Sequence, residues 1–135
     1  MRKEIIIIVL LITGMFLISC KGRPTKISDA NEFEQKFTGA IKYDIRDENI
    51  CEEGHIPGFM CMGSKEKDTL IKNIDLVAYD YNQVIILIGS EEDVLYIFNA
   101  LGKEGYKNMF YFDGGYEGYV AVKGEEFVPE TGCGC

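Results

Sequence analysis

Five cysteines, one histidine and a run of three carboxylates are the side chains whose types and spacing could support chemistry. Cys51 and Cys61 flank His55, and the chain closes on Thr131-Gly132-Cys133-Gly134-Cys135. Glycines on both sides of Cys133 leave the two tail thiols mobile and exposed. Such a Cys-x-Cys pair closes an easily reduced disulfide or grips a soft metal ion with two thiolates. Two thiolates do not complete a metal site, and the single histidine brings no partners, so no metal is expected. Cys133, Cys135 and Cys61, which follows the turn Gly54-His55-Ile56-Pro57-Gly58, are the candidate redox thiols. With Cys20 set aside the cysteines number four, and three full pairings stay open.

The elements that position these groups follow from hydrophobic periodicity. Ser28 is placed to cap a helix whose Ala30, Phe33 and Phe37 share a stripe, ended by Gly39. Residues 40–45 alternate loosely and lead a strand into Asp44 and Arg46. Leu70, Ile71, Ile74 and Val77 predict a helix over 65–79. The aliphatic run 84–88 suits a central strand buried on both faces. Ser90 and Asp93 form a capping box for a helix with Val94, Ile97, Phe98 and Leu101 on its buried stripe, stopped by Gly102 or Gly105. A short strand over 109–112 precedes a turn at Gly114-Gly115. Alternating strands and helices give an α/β fold, with a mainly parallel central sheet and helices on both faces.

With 135 residues, 47% of them hydrophobic, the chain has room for one domain. Residues 1–19 stand apart from it. Arg2 and Lys3 precede an apolar run from Ile5 to Ile18, interrupted only by Thr13 and Gly14, which reads as an export signal. The run is shorter than the ~20 residues that cross a bilayer comfortably. Leu17-Ile18-Ser19-Cys20 resembles a bacterial lipobox, in which a small residue precedes a cysteine that is lipid-modified, freed by cleavage and acylated on its new amino group. That resemblance implies lipidation at Cys20, residues 20–26 as a lipidated tether, and an extracytoplasmic place at the bacterial cell envelope with the membrane as partner. Two or more acyl chains anchor stably, each buried methylene contributing about 0.8 kcal/mol. Gly22 and Pro24 among charged residues suit the tether. Removing Arg2, Lys3 and Glu4 takes 14 basic and 22 acidic side chains to 12 and 21, a net charge of about −9. No basic stripe remains to displace counterions, which excludes nucleic acid.

Asp44-Ile45-Arg46-Asp47, Gly54-His55-Ile56-Pro57-Gly58 and Gly105-Tyr106 followed by Asp113-Gly114-Gly115 together resemble a rhodanese domain. The resemblance implies a rhodanese-like domain over 27–130, with 131–135 a Gly/Cys tail. In that family the central strand runs into a loop led by a nucleophilic cysteine, whose backbone N–H groups cradle an anion and favour thiolate or persulfide. Counting back from Gly105 places that cysteine's position at Ile88, whose hydrocarbon side chain has no lone pair. The phosphatase branch of the fold needs the same cysteine. The resemblance therefore implies a vestigial pocket of Asp44, Arg46, His55, Ile88, Gly89 and Ser90 with no catalytic residue. Glu91, Glu92 and Asp93 satisfy the helix dipole at about 0.3–1 kcal/mol each and oppose an incoming anion. Asp44 and Arg46 are expected as a structural ion pair, His55 as bonded to nearby backbone, Cys51 as a small core residue, and Tyr119 as the aromatic plate where the family often carries tryptophan.

The expected function is a membrane-anchored lipoprotein whose catalytically inactive rhodanese-like domain acts as a binding or regulatory module for an unidentified protein partner, without a cofactor. The alternative is a thiol or persulfide carrier, related to sulfurtransferases, using Cys133 and Cys135 in place of the nucleophile.

Overall fold

A computed structural model describes residues 21–135, so the expected signal segment 1–19 and the expected lipidation at Cys20 lie outside the described residues. The central strand follows directly from the aliphatic run: β4 (Ile85–Ile88) is buried at every position. Side chains alternate across a strand. Ile85 and Leu87 therefore enter one core, and Ile86 and Ile88 the other.

Around it lie β1 (Thr25–Ile27), β2 (Ile41–Asp44), β3 (Met60–Cys61) and β5 (Met109–Phe112), in the order β1-β5-β4-β2-β3. Every pairing is parallel. Two helices, α3 (Lys67–Val77) and α4 (Glu91–Glu104), cover the first face with Leu70, Ile74, Val94, Ile97, Phe98 and Leu101. The second face is covered by α1 (Ala30–Glu34) and α5 (Gly115–Lys123) through Phe33 and Tyr119, packed with Ile27, Phe59 and Phe112. The remaining helix, α2 (Glu48–Glu53), lies between β2 and β3 in sequence.

Local chemistry fixes the helix ends. Ser90 Oγ accepts from the Asp93 N–H at 3.3 Å, and Gly105 ends α4 with φ 117°, where a side chain would be strained. At α1 the cap is Asp29, not Ser28: its carboxylate accepts from the Glu32 N–H at 2.8 Å, while Ser28 Oγ donates to Asp113. The helix stops at Glu34, so Phe37 reaches the core from a turn, edge-on to Phe33 at 5.2 Å. Thr25 and Lys26, read above as tether, form β1. An edge strand requires only backbone pairing, and its first two side chains stay exposed while Ile27 is buried.

Glu34 ties α1 to α5, meeting Lys123 Nζ at 2.9 Å and accepting from the Tyr119 hydroxyl. The Lys123 hydrogen bond, then that of Tyr119, holds the Glu34 carboxyl below its ordinary 4.5. A carboxylate with a lowered folded value contributes stability that is complete above its unfolded value and is lost as pH falls through the folded one. Acid unfolding should therefore show Glu34→Gln closing part of its stability gap to the parent below about pH 4.5. Equal gaps at neutral and acid pH, measured by urea titration, would contradict this.

Candidate functional site

The C-terminal ends of β2, β4 and β5 open into a cavity of about 520 Å³. Its floor and rim are backbone-rich because the connections are tight: only Gly89 and Ser90 separate β4 from α4. A side chain at Gly89 would strike Ile45, and one at Gly115 (φ 64°) would strike the Gly89 carbonyl. These glycines let the β4–α4 and β5–α5 turns approach each other.

Arg46 is the cation expected here, and its guanidinium is engaged through Nε, Nη2 and one face. Nε lies 3.0 and 3.1 Å from the two Asp44 carboxylate oxygens, and Nη2 lies 2.7 Å from one of them and 2.8 Å from the Gly54 carbonyl. The guanidinium carbon also sits 3.7 Å from the centre of the Tyr116 ring. Asp44 is wholly buried and also accepts from the Arg46 N–H. The fork geometry of arginine suits this bidentate pairing, which ties the end of β2 to α2's C-terminal cap.

The other lining cation, Lys26, is paired with Glu91 at 2.8 Å, and its hydrogen bond holds that carboxyl below its ordinary value. Asp93 is held low in the same way, first by Lys67 at 2.8 Å. Asp47, Glu91, Asp93 and Glu117 thus face the cavity beside two cations that already have carboxylate partners. Such a lining disfavours anions and suits a cationic or hydrogen-bonding group.

Arg46, Gly89 and Ser90 line the cavity, as the motif spacing suggests, and Asp44 stands behind Arg46. Ile88 does not line it. At 1% exposure it packs below the floor with Ile27, Phe33 and Phe112, because strand alternation turns position 88 toward the second core. His55 also lies elsewhere: its Nδ1 is 3.0 Å from the Ile56 carbonyl and its Nε2 3.1 Å from that of Gly132. Sequence reasoning missed Lys26, Ile50, Tyr111 and Glu117 as lining residues. The strand alternation over 109–112 was the available signal for Tyr111, whereas Lys26 needed the pairing of β1 with β5.

The four described cysteines are paired. Cys61, expected as a thiol near the pocket, is joined to Cys51 in a disulfide with Cα atoms 5.8 Å apart, both residues being buried. Strand β3 sets Cys61 beside Asp44, and α2 carries Cys51 over it. Cys133 and Cys135 are likewise paired, so neither is a standing thiol. Nor is the tail loose. His55 and Glu130 exchange two backbone hydrogen bonds at 2.9 Å, Gly132 N–H donates to Glu52, and Cys61 N–H donates to the Cys133 carbonyl at 2.8 Å. The flanking glycines serve this docking: a side chain at Gly134 would collide with the Phe59 carbonyl. Among the described residues no cysteine lines the cavity.

Comparison with known proteins agrees with the geometry. Residues 29–122 match the rhodanese-like domain family. Among solved structures, the Alr3790 protein from Anabaena sp. is similar with TM-score 0.61 and 20% identity, over 79% of this chain and 82% of that one. The solution structure of its rhodanese-like domain gives 0.59 and 19%, over 80% and 78%. Reduced CoADR-RHD of Bacillus anthracis gives 0.54 and 21%, over 76% of this chain and 17% of that one. No curated protein matches the chain. At these identities the structural likenesses speak for the fold, and the family match covers most of the sequence: the chain belongs to the rhodanese-like domain family.

Proposed function

We propose that the protein is a membrane-anchored lipoprotein of the bacterial cell envelope whose rhodanese-like domain is catalytically silent and serves as a binding or regulatory module. One observation carries this reading: the cavity at the ends of β2, β4 and β5 has no thiol in its lining, and Ile88 ends the central strand. Its carboxylates and already paired cations fit a cationic or hydrogen-bonding group of a protein partner better than thiosulfate.

The test is sulfur transfer from thiosulfate to cyanide. Thiocyanate should form no faster with the protein than with a variant lacking all its cysteines. Ile88→Cys should restore little activity, because the new thiol would be buried beneath the cavity floor. Robust turnover by either protein overturns the reading.

A second reading, thiol carriage by the tail, is favoured by the hydrogen bond that lays Cys133 along Cys61. An external dithiol would reduce the Cys133–Cys135 bond and leave as its own disulfide. The Cys133 thiolate would then attack Cys61 Sγ and expel the Cys51 thiolate. Cys135 would resolve the mixed disulfide, passing both electrons to the buried pair. In Cys135→Ser that resolution is blocked, so a Cys61–Cys133 linked peptide should accumulate. Its absence by mass spectrometry removes this reading.

A further inference from the structure

Eight large hydrophobic side chains are prominently exposed among the described residues, and four of them fall within six consecutive positions: Leu76 (83%), Val77 (53%), Tyr79 (92%) and Tyr81 (55%). They end α3 and continue into the loop before β4. Scattered exposed apolar residues need no explanation, but a cluster of this kind marks a contact surface.

The beginning of the described chain lies beside this cluster. The Gly22 N–H donates to the Gly102 carbonyl at 3.1 Å, and Gly22 packs so closely against the Tyr106 carbonyl that no side chain would fit there. Tyr106 in turn meets Tyr81 edge-on, with ring centres 5.1 Å apart. Cys20 is two residues before Gly22, at most about 7 Å of extended chain.

We infer that residues 76–81 form a face that rests on the lipid bilayer when acyl chains on Cys20 enter it. The inference rests on the lipid-anchor reading given above. Tyrosines settle at the headgroup level, with an apolar ring in the lipid and a hydroxyl in water, and Lys21 and Arg23, on either side of Gly22, are exposed. No helix among the described residues is long and apolar enough to cross a membrane, so the described part of the chain meets lipid through its surface. The acyl chains supply the anchoring, and the patch supplies the orientation.

Charge selects the lipid. Asp75 accepts from the Tyr106 hydroxyl at 2.7 Å and Asp80 from the Asn82 N–H at 2.8 Å, which places two carboxylates beside the patch. Lys21 and Arg23 offset these two carboxylates, so the face carries little net charge and a zwitterionic surface suits it. The patch also lies at the N-terminal ends of β4 and β5, opposite the cavity, so docking turns the cavity mouth away from the membrane.

The chain has no tryptophan, which makes Tyr79→Trp a single fluorescent reporter in the patch and Tyr96→Trp a reporter on α4 nearer the cavity. The full-length precursor is expressed with lipid processing, its mass measured, and the product placed in phosphatidylcholine vesicles with and without brominated acyl chains. Bromolipid should lower the emission of the position-79 reporter by roughly twofold or more and leave position 96 nearly unchanged. A lipidated protein in which position 79 is unquenched, or both positions are quenched alike, overturns the docking face and leaves the anchor standing. A mass without lipid on Cys20 overturns both.

Discussion

Asp44→Ala is expected to lower folding stability by about 3–5 kcal/mol, because it strands a largely buried guanidinium. Asp44 has no solvent exposure, and the Arg46 side chain is only 11% exposed. Without the carboxylate, three short N–H···O contacts from the guanidinium and one from the Arg46 backbone are lost together. The remaining charge is held against Tyr116 and the Gly54 carbonyl, neither of which neutralises it. Asp44→Asn keeps an acceptor and the shape, and should cost less, about 1–3 kcal/mol. Urea unfolding of the three proteins measures the differences. A loss below about 1 kcal/mol for Asp44→Ala would mean that the pair behaves like a solvent-exposed ion pair. The effect should reach the cavity as well, since Arg46 lines it and holds the end of α2.

Removing the buried disulfide should cost nearly as much. Cys51 and Cys61 are ten residues apart in sequence, and the chain-entropy relation gives about 3 kcal/mol for a loop of that size. For a domain of this size that lowers the melting temperature by roughly 10–20 °C. The double variant Cys51→Ala/Cys61→Ala should show this loss, and treating the parent with a strong reductant should reproduce it. Cys133→Ser/Cys135→Ser opens a loop with a sequence separation of only 2, for which the same relation gives about 1.5 kcal/mol or less. Calorimetry that found the two pairs equivalent would show that the bond between α2 and β3 does not constrain the fold as described.

The core of the fold was legible because its signals are local. The aliphatic run at 84–88 is buried over β4, the serine cap opens α4, and the 109–112 strand has the bounds its apolar run suggested. What sequence reading missed is held by long-range pairing. β1 exists because β5 offers it an edge, and β3 is only two residues long. α2 buries Cys51 alone and so carries no apolar stripe. The site divides in the same way. Arg46, Gly89 and Ser90 are fixed by motif and spacing, whereas Lys26 and Glu117 reach the cavity from elements far apart in the chain. The face on which Ile88 lies depends on the parity of its strand, which an unbroken aliphatic run does not reveal. The cysteine pairing, open among three possibilities in the sequence, follows from the placement of α2 over β3 and of the tail along its edge.

With no thiol in the cavity lining, the domain should take up no sulfur at the family's position, which intact-protein mass spectrometry after incubation with thiosulfate measures. The account predicts an unchanged mass for the oxidised protein. A gain of one sulfur atom, mapped to a residue of the cavity at the ends of β2, β4 and β5, would contradict it.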